Sequence, residues 1–206
     1  MHKEVIKKAG NQDDSKKALI MIHGRGGNAT QIMDLARLLH VSDFLLLAPQ
    51  ATNNTWYPMS FIAPVEQNQP WLDSALDAVE ATVQEANKLG IVDENIYFLG
   101  FSQGACLALE YVARSGKKFG GAVALSGGLI GKQLNVTNYA NELNGMPIYI
   151  GSSDPDTHIP VSRVLESRDQ LVKMNASVTA DIFPGMGHTI ILEEINKVND
   201  LIFGKK

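Results

Sequence analysis

The chain has 206 residues, 18 of them basic and 22 acidic, for a formal net charge of −4, and 45% of it is hydrophobic. This is the balance of one globular domain with a core of its own, and it argues against nucleic acid or an anionic membrane as partner, because lysine and arginine do not cluster beyond KK pairs. The lone cysteine, Cys106, excludes an internal disulfide and suits a reducing cytoplasm. The first 17 residues, MHKEVIKKAGNQDDSKK, are charged throughout and lack the apolar core of a signal peptide. No run is apolar enough to span a bilayer, so a cytoplasmic protein without stable membrane association is expected. A homodimer is compatible with these features.

In chain order, ALIMIHG (Ala18–Gly24) reads as a buried strand ending in glycine, and TQIMDLARLLH (Thr30–His40) as a helix. FLLLAPQ (Phe44–Gln50) is a second buried strand, followed by a loop rich in Asn, Pro and aromatics from Ala51 to Trp71. Leu72, Leu76, Val79, Val83 and Ala86 then recur at helical spacing, with Gly90 as C-cap. NIYFLG is a strand, QGACLALEYVAR a helix, and GGAVALSG and MPIYIGSSD are strands. PVSRVLESRDQLVKM is a helix opened by Pro160. SVTADIFPG is the last strand and IILEEINKVNDLIF the last helix. Continuous apolar strands separated by helices predict an α/β fold over residues 1–206, a mostly parallel sheet with helices on both faces. In such sheets the working site lies beyond the carboxyl ends of the strands. The residues found there are Gly24, Arg25, Gln50, Ser102, Ser126, Asp154, Asp156 and His188.

Ser102 sits in GFSQG, a G-x-S-x-G pattern between a strand and a helix. A turn that sharp excludes neighbouring side chains, which explains the glycine two residues away on each side. It pushes the hydroxyl into the open and aims the N–H groups of the next helix at the same spot. The alternative is a serine in an ordinary strand-to-helix turn. A serine hydroxyl needs a base. His188, in FPGMGHT between the last strand and the last helix, has the position expected of one. His23 reads as structural, holding the HGRGG turn. An oxyanion would need two N–H donors. Gln103, after the serine, supplies one, and the glycine-rich loop His23–Asn28 supplies the other, with Arg25 as the expected donor. GRGG lacks the pattern of a phosphate-binding loop.

With these pieces placed, the chain resembles the phospholipase/carboxylesterase family of α/β-hydrolases, which includes the acyl-protein thioesterases. IHGRGGN, GFSQGA, ALSGGLIG, DTHIP and GMGH occur in the family's order, and APQATNNTWYPMSF is more like the small carboxylesterase branch. The resemblance implies an α/β-hydrolase fold and a serine esterase working without metal or cofactor. By position Ser102 would be the nucleophile and His188 the base, with Arg25 and Gln103 donating main-chain N–H groups. The third member is where this chain departs. The family reads G-x-x-D-x-x-[VI]-P, and GSSDPDTHIP has two extra residues. Counting from Gly151 selects Asp154, and counting back from Pro160 selects Asp156. The helix opened by Pro160 is the firmer anchor, so Asp156 is expected.

Large lids in this fold are insertions where this chain has the short, polar connection Leu129–Gly145. An open pocket without a large lid domain is therefore expected, walled by Trp56, Tyr57 and Phe61. Cys106 reads as a packed thiol. The expectation is a serine carboxylesterase acting on a small ester through an acyl-enzyme. The alternatives are a thioesterase or lysophospholipase-type deacylase, or a hydrolase-fold binding protein with negligible turnover.

Overall fold

The computed structural model describes residues 1–139 and 142–204. Its centre is a seven-stranded sheet: β1 (Ile6–Gly10), β2 (Ala18–Ile22), β3 (Leu45–Pro49), β4 (Ile96–Phe101), β5 (Gly121–Leu125), β6 (Pro147–Asp154) and β7 (Ser177–Pro184). The spatial order is β1-β3-β2-β4-β5-β6-β7, with β1 antiparallel to β3 and every other pair parallel. The helices are α1 (Ala29–Met33), α2 (Trp71–Lys88), α3 (Gln103–Ser115), α4 (Val161–Lys173) and α5 (Leu192–Val198).

The central strands are apolar on both faces because both faces are covered. Ala18, Ile20 and Ile22 of β2 pack into the core beneath α2, α3 and α4. Leu19 and Met21 point the other way, into the core beneath α1 and α5. Chain order reverses at β2. The chain leaves it outward for β3, then crosses back to β4 on its other side, where Ile22 is in register with Gly100. The crevice beyond the carboxyl ends of β2 and β4 is thus the topological switch point, where ligands bind in open α/β sheets.

Three elements differ from the sequence expectations. β1 was not foreseen. Its IKKAG puts one lysine on each face of the edge, and Lys7 and Lys8 reach out in opposite directions to Thr30 and Glu85. The helix expected over Thr30–His40 is a short α1, capped by a reciprocal Asn28–Gln31 box, that tightens into a 3-10 turn over Asp34–Leu38. The last helix ends at Val198 and widens into a π turn over Asn199–Phe203, where the Asn199 side chain accepts the His40 amide and donates to Leu38 O. None of the described helices is long and apolar enough to cross a membrane.

Beneath the loop that joins β7 to α5 lies Glu194, fully buried. One carboxylate oxygen accepts the Ile191 amide at 3.2 Å. The other has no partner, and it lies so close to Gly151 that a Cβ there would collide with it. Burial pushes this carboxyl up to about 7, opposed by the Ile191 amide and helped by repulsion from Asp181. The unfolded chain releases this proton near the ordinary value of 4.5, whereas the folded chain holds it to about 7. Its contribution to stability is therefore present below 4.5 and lost as pH rises through that window. Glu194→Gln should remove about 2 kcal/mol of stability loss between about pH 5 and pH 8. Urea midpoints of both proteins at the two pH values check this, and parallel pH dependence would refute it.

Candidate functional site

Ser102 lies at the switch point between β4 and α3. Its φ of 54° and ψ of −119° lie where side chains rarely go. Such strain costs on the order of 1–3 kcal/mol and persists only where the surroundings enforce it. Here they do. A Cβ at Gly100 would strike the backbone of Gly104, and a Cβ at Gly104 would strike the Ile22 carbonyl of β2. The Ser102 amide is tied to Leu125 O at 2.9 Å, and its carbonyl accepts the Cys106 amide at 3.0 Å.

His188 and Asp156 complete a hydrogen-bonded row. His188 Nδ1 lies 2.8 Å from Asp156 Oδ2, and His188 Nε2 lies 2.8 Å from Ser102 Oγ. A carboxylate only accepts, so Nδ1 carries the ring proton, Nε2 is the acceptor, and the Ser102 hydroxyl donates to it. The Asp156 side chain is fully buried. Burial pushes its carboxyl up, but the hydrogen bonds from His188 and from the His158 and Ile159 amides outweigh this, and the net shift is downward. Asp156 therefore holds its charge against the imidazole. Asp154, the alternative acid, ends β6 with its side chain exposed, and its carbonyl accepts the Gly185 amide.

One residue of this row's support escaped the sequence reading. Ser153 is buried, its hydroxyl accepts the Gly187 amide at 2.8 Å, and it lies 3.2 Å from Pro155 O. It pins the loop carrying His188 to the loop carrying Asp156. A serine inside a strand has no signal in sequence that separates such a pin from filler.

Arg25 and Gln103 flank Ser102 along the cleft. Gln103 opens α3, and the first amides of a helix have no carbonyl within it to bond. Arg25 follows Gly24, whose carbonyl takes the Gly27 amide, and precedes Gly26, whose amide is tied to Asn54 O. The turn is braced from below by His23, which is buried. Its Nδ1 lies 2.8 Å from Gly24 O, its Nε2 accepts the Ala51 amide, and burial lowers its pKa. The neutral ring thus has a structural task.

The side chains of Arg25 and Gln103 have a second task that spacing does not reveal. Gln103 Oε1 accepts the Trp56 amide, and its Nε2 donates to Tyr57 O. The Arg25 guanidinium donates to the carbonyls of Tyr57, Pro58 and Met59 at 2.7–2.9 Å. Together they clamp the aromatic loop over the cleft. Tyr57 and Phe61 line that cleft, which has a volume of about 300 Å³. Trp56 does not, and the expectation for it is corrected. Its ring is fully buried behind the loop, Nε1 donating to His23 O at 2.8 Å and the indole packed on the His23 ring. An indole N–H in a core needs a partner, and the end of β2 supplies one. His2 braces the same loop from outside, with Nε2 against Trp56 O and Nδ1 accepting the Thr52 amide. Cys106 lines the cleft floor, and burial pushes its thiol up to about 12, which makes it a poor nucleophile. Among the described residues no three His, Cys, Asp or Glu side chains cluster as a metal site would need.

A family model described as phospholipase/carboxylesterase matches residues 2–203. A crystal structure of a phospholipase/carboxylesterase from Dyadobacter fermentans DSM 18053 superposes with a TM-score of 0.96 at 49% identity, over 98% of this chain and 97% of that one. Acyl-protein thioesterase 1 of Kluyveromyces lactis is 33% identical over 60% of this chain, and the match spans only 56% of the yeast protein. A probable carboxylesterase, SOBER1-like, of Arabidopsis thaliana is 23% identical over 90% of this chain and 78% of that protein.

Proposed function

The chain belongs to the phospholipase/carboxylesterase family, and from that premise we propose that it is a serine carboxylesterase that hydrolyses short-chain esters through an acyl-enzyme. The observation that carries the reading is the row Ser102–His188–Asp156, two successive 2.8 Å hydrogen bonds ending at a strained, forward-thrust hydroxyl. In the reaction Ser102 Oγ adds to the ester carbonyl as its proton passes to His188 Nε2. The negative charge on the former carbonyl oxygen is met by the Arg25 and Gln103 amides. Asp156, kept ionised, stabilises the imidazolium and fixes its orientation. As the tetrahedral species collapses, the carbon–oxygen bond to the alcohol breaks and His188 gives its proton to that oxygen. A water then repeats the sequence on the acyl-enzyme, losing its proton to His188, and Ser102 leaves with it.

The short-chain preference rests on the cleft. Its volume is about 300 Å³, and its lining includes the buried side chains of Tyr57, Phe61 and Cys106. A family member built for long fatty chains needs a longer channel. With 4-nitrophenyl esters of graded length, kcat/KM should peak between acetyl and hexanoyl. An optimum at palmitoyl would overturn the reading in favour of a long-chain deacylase. Thioesters of the same acids, run beside the esters, measure the preference for the leaving atom.

A further inference from the structure

Arg25 brings to the cleft a full positive charge that the hydrolysis of a neutral ester does not need. It lines the cleft and is exposed there, and a guanidinium is always charged. Its partners are the carbonyls of Tyr57, Pro58 and Met59, and among the described residues no carboxylate pairs with it. Neutral carbonyls hold the group in place and leave its charge uncompensated. They also leave its Nε–H and one Nη1–H without a partner among the described residues. Holding the loop does not call for a charge, since Gln103 grips the same Tyr57 carbonyl with a neutral amide.

The rest of the cleft does not offset that charge. The chain carries 22 acidic residues, yet none of them is in the cleft lining. The other titratable groups there are His158 and His188, which bring no negative charge, and Tyr57 and Cys106, whose protons burial retains. Asp156 stands behind His188, its side chain fully buried and its charge met by the imidazole and by the amides of His158 and Ile159. Gln103, the first residue of α3, also lines the cleft, so the helix adds partial positive charge to it. Within a chain of net charge −4 this is a cationic slot, and a cleft lined by one sign of charge concentrates ligands of the other. We propose that the cleft selects esters that carry a carboxylate of their own, and that Arg25 receives it. The free N–H groups of its guanidinium give the carboxylate a charge-assisted hydrogen bond. The inference rests on the esterase reading and narrows its substrate class.

The test pairs each anionic ester with the neutral amide of the same shape. Monoethyl succinate against ethyl succinamate probes the acyl half, and 4-carboxyphenyl acetate against 4-carbamoylphenyl acetate probes the alcohol half. The carboxamide withdraws electrons more strongly than the carboxylate, so intrinsic reactivity does not favour the anion. Wild type should favour the anion of at least one pair in kcat/KM by about tenfold, as a hydrogen bond to a charged group provides. The pair that responds identifies the half that carries the carboxylate. In Arg25→Gln that ratio should fall to about one, and Arg25→Lys, which keeps the charge, should retain part of it. A wild-type ratio near one in both pairs, or a ratio unchanged in Arg25→Gln, overturns the inference. So does equal loss in the glutamine and lysine proteins, which would trace the effect to the loop clamp. Should the variants fail to fold, salt decides in wild type alone. From about 0.01 M to about 1 M the screening length falls from about 30 Å to about 3 Å, so the preference should fall towards one, and a preference indifferent to salt overturns the inference. Equal turnover within both pairs removes only the inference. No turnover of any of these esters, with no fluorophosphonate labelling of Ser102, removes the esterase reading and the inference with it.

Discussion

Ser102→Ala should abolish covalent labelling by a fluorophosphonate and lower kcat by several powers of ten, on the order of 10⁶ for a comparable triad. The alanine removes the only atom of residue 102 that can bond to the substrate carbonyl. It also leaves His188 Nε2, now 2.8 Å from an oxygen, with no proton to take. If the row acts as one unit, as proposed, Ser102→Ala combined with His188→Ala should cost no more than either change alone. What should survive is the stabilisation proposed for the amides of Arg25 and Gln103, which need no side chain. Ser102→Gly should be equally inactive but more stable than wild type by about 1–2 kcal/mol, since glycine adopts φ 54° without strain. Labelling that survives in the alanine protein would remove Ser102 from the chemistry. A melting temperature unchanged in the glycine protein would show that the elbow stores no strain. A binding protein with negligible turnover would show neither loss, only retained affinity, so the same variants separate that reading from the enzyme.

The parts of this molecule that were legible in sequence are those where a short-range rule leaves few choices. The strands ALIMI and GAVAL are apolar without alternation because the sheet is covered on both faces. Gly100 and Gly104 mark the elbow because a Cβ at either would strike backbone. Asp156 could be preferred over Asp154 because α4 fixes the register from Pro160 backwards, while the segment ahead of it can vary in length. The illegible parts depend on partners distant in the chain. β1 is a strand only because β3 is beside it. Trp56 looked like a cleft wall because an aromatic in a long loop after a strand end has that aspect, yet His23 O, 33 residues earlier, draws its N–H inward. Arg25 and Gln103 were named for their amides, which local position dictates. Their side-chain grip on Tyr57, Pro58 and Met59 spans 32 to 46 residues, and no periodicity encodes it.

The two aspartates of the β6–α4 loop should part sharply under the same substitution. Asp156 Oδ2 meets His188 Nδ1, while its Oδ1 takes the amides of His158 and Ile159 at 2.7 and 3.0 Å. In Asp156→Asn one terminal atom becomes an NH₂ group, which can only donate. If it faces the two amides, three donors collide and the loop is disturbed. If it faces His188, the ring must present an acceptor at Nδ1 and a proton at Nε2, the wrong tautomer for taking the Ser102 proton. Either way the base is lost at neutral pH, and in a serine-protease triad the second outcome costs about 10⁴ in kcat. A loss of several hundredfold or more is expected here. Asp154 has no such partner for its side chain and is exposed at the strand end, so Asp154→Asn should stay within about tenfold. Both proteins must first match wild type in circular dichroism and melting, because a disturbed loop would imitate a lost triad. The pH profile then separates the cases. If the imidazole is held in the wrong tautomer, activity should recover at high pH, where hydroxide or an ionised imidazole can act, whereas a collapsed loop stays inactive throughout. A reversed order of the two losses would make Asp154 the partner of His188. Two small losses would mean that the hydrogen bond from His188 to Asp156 contributes little to the reaction.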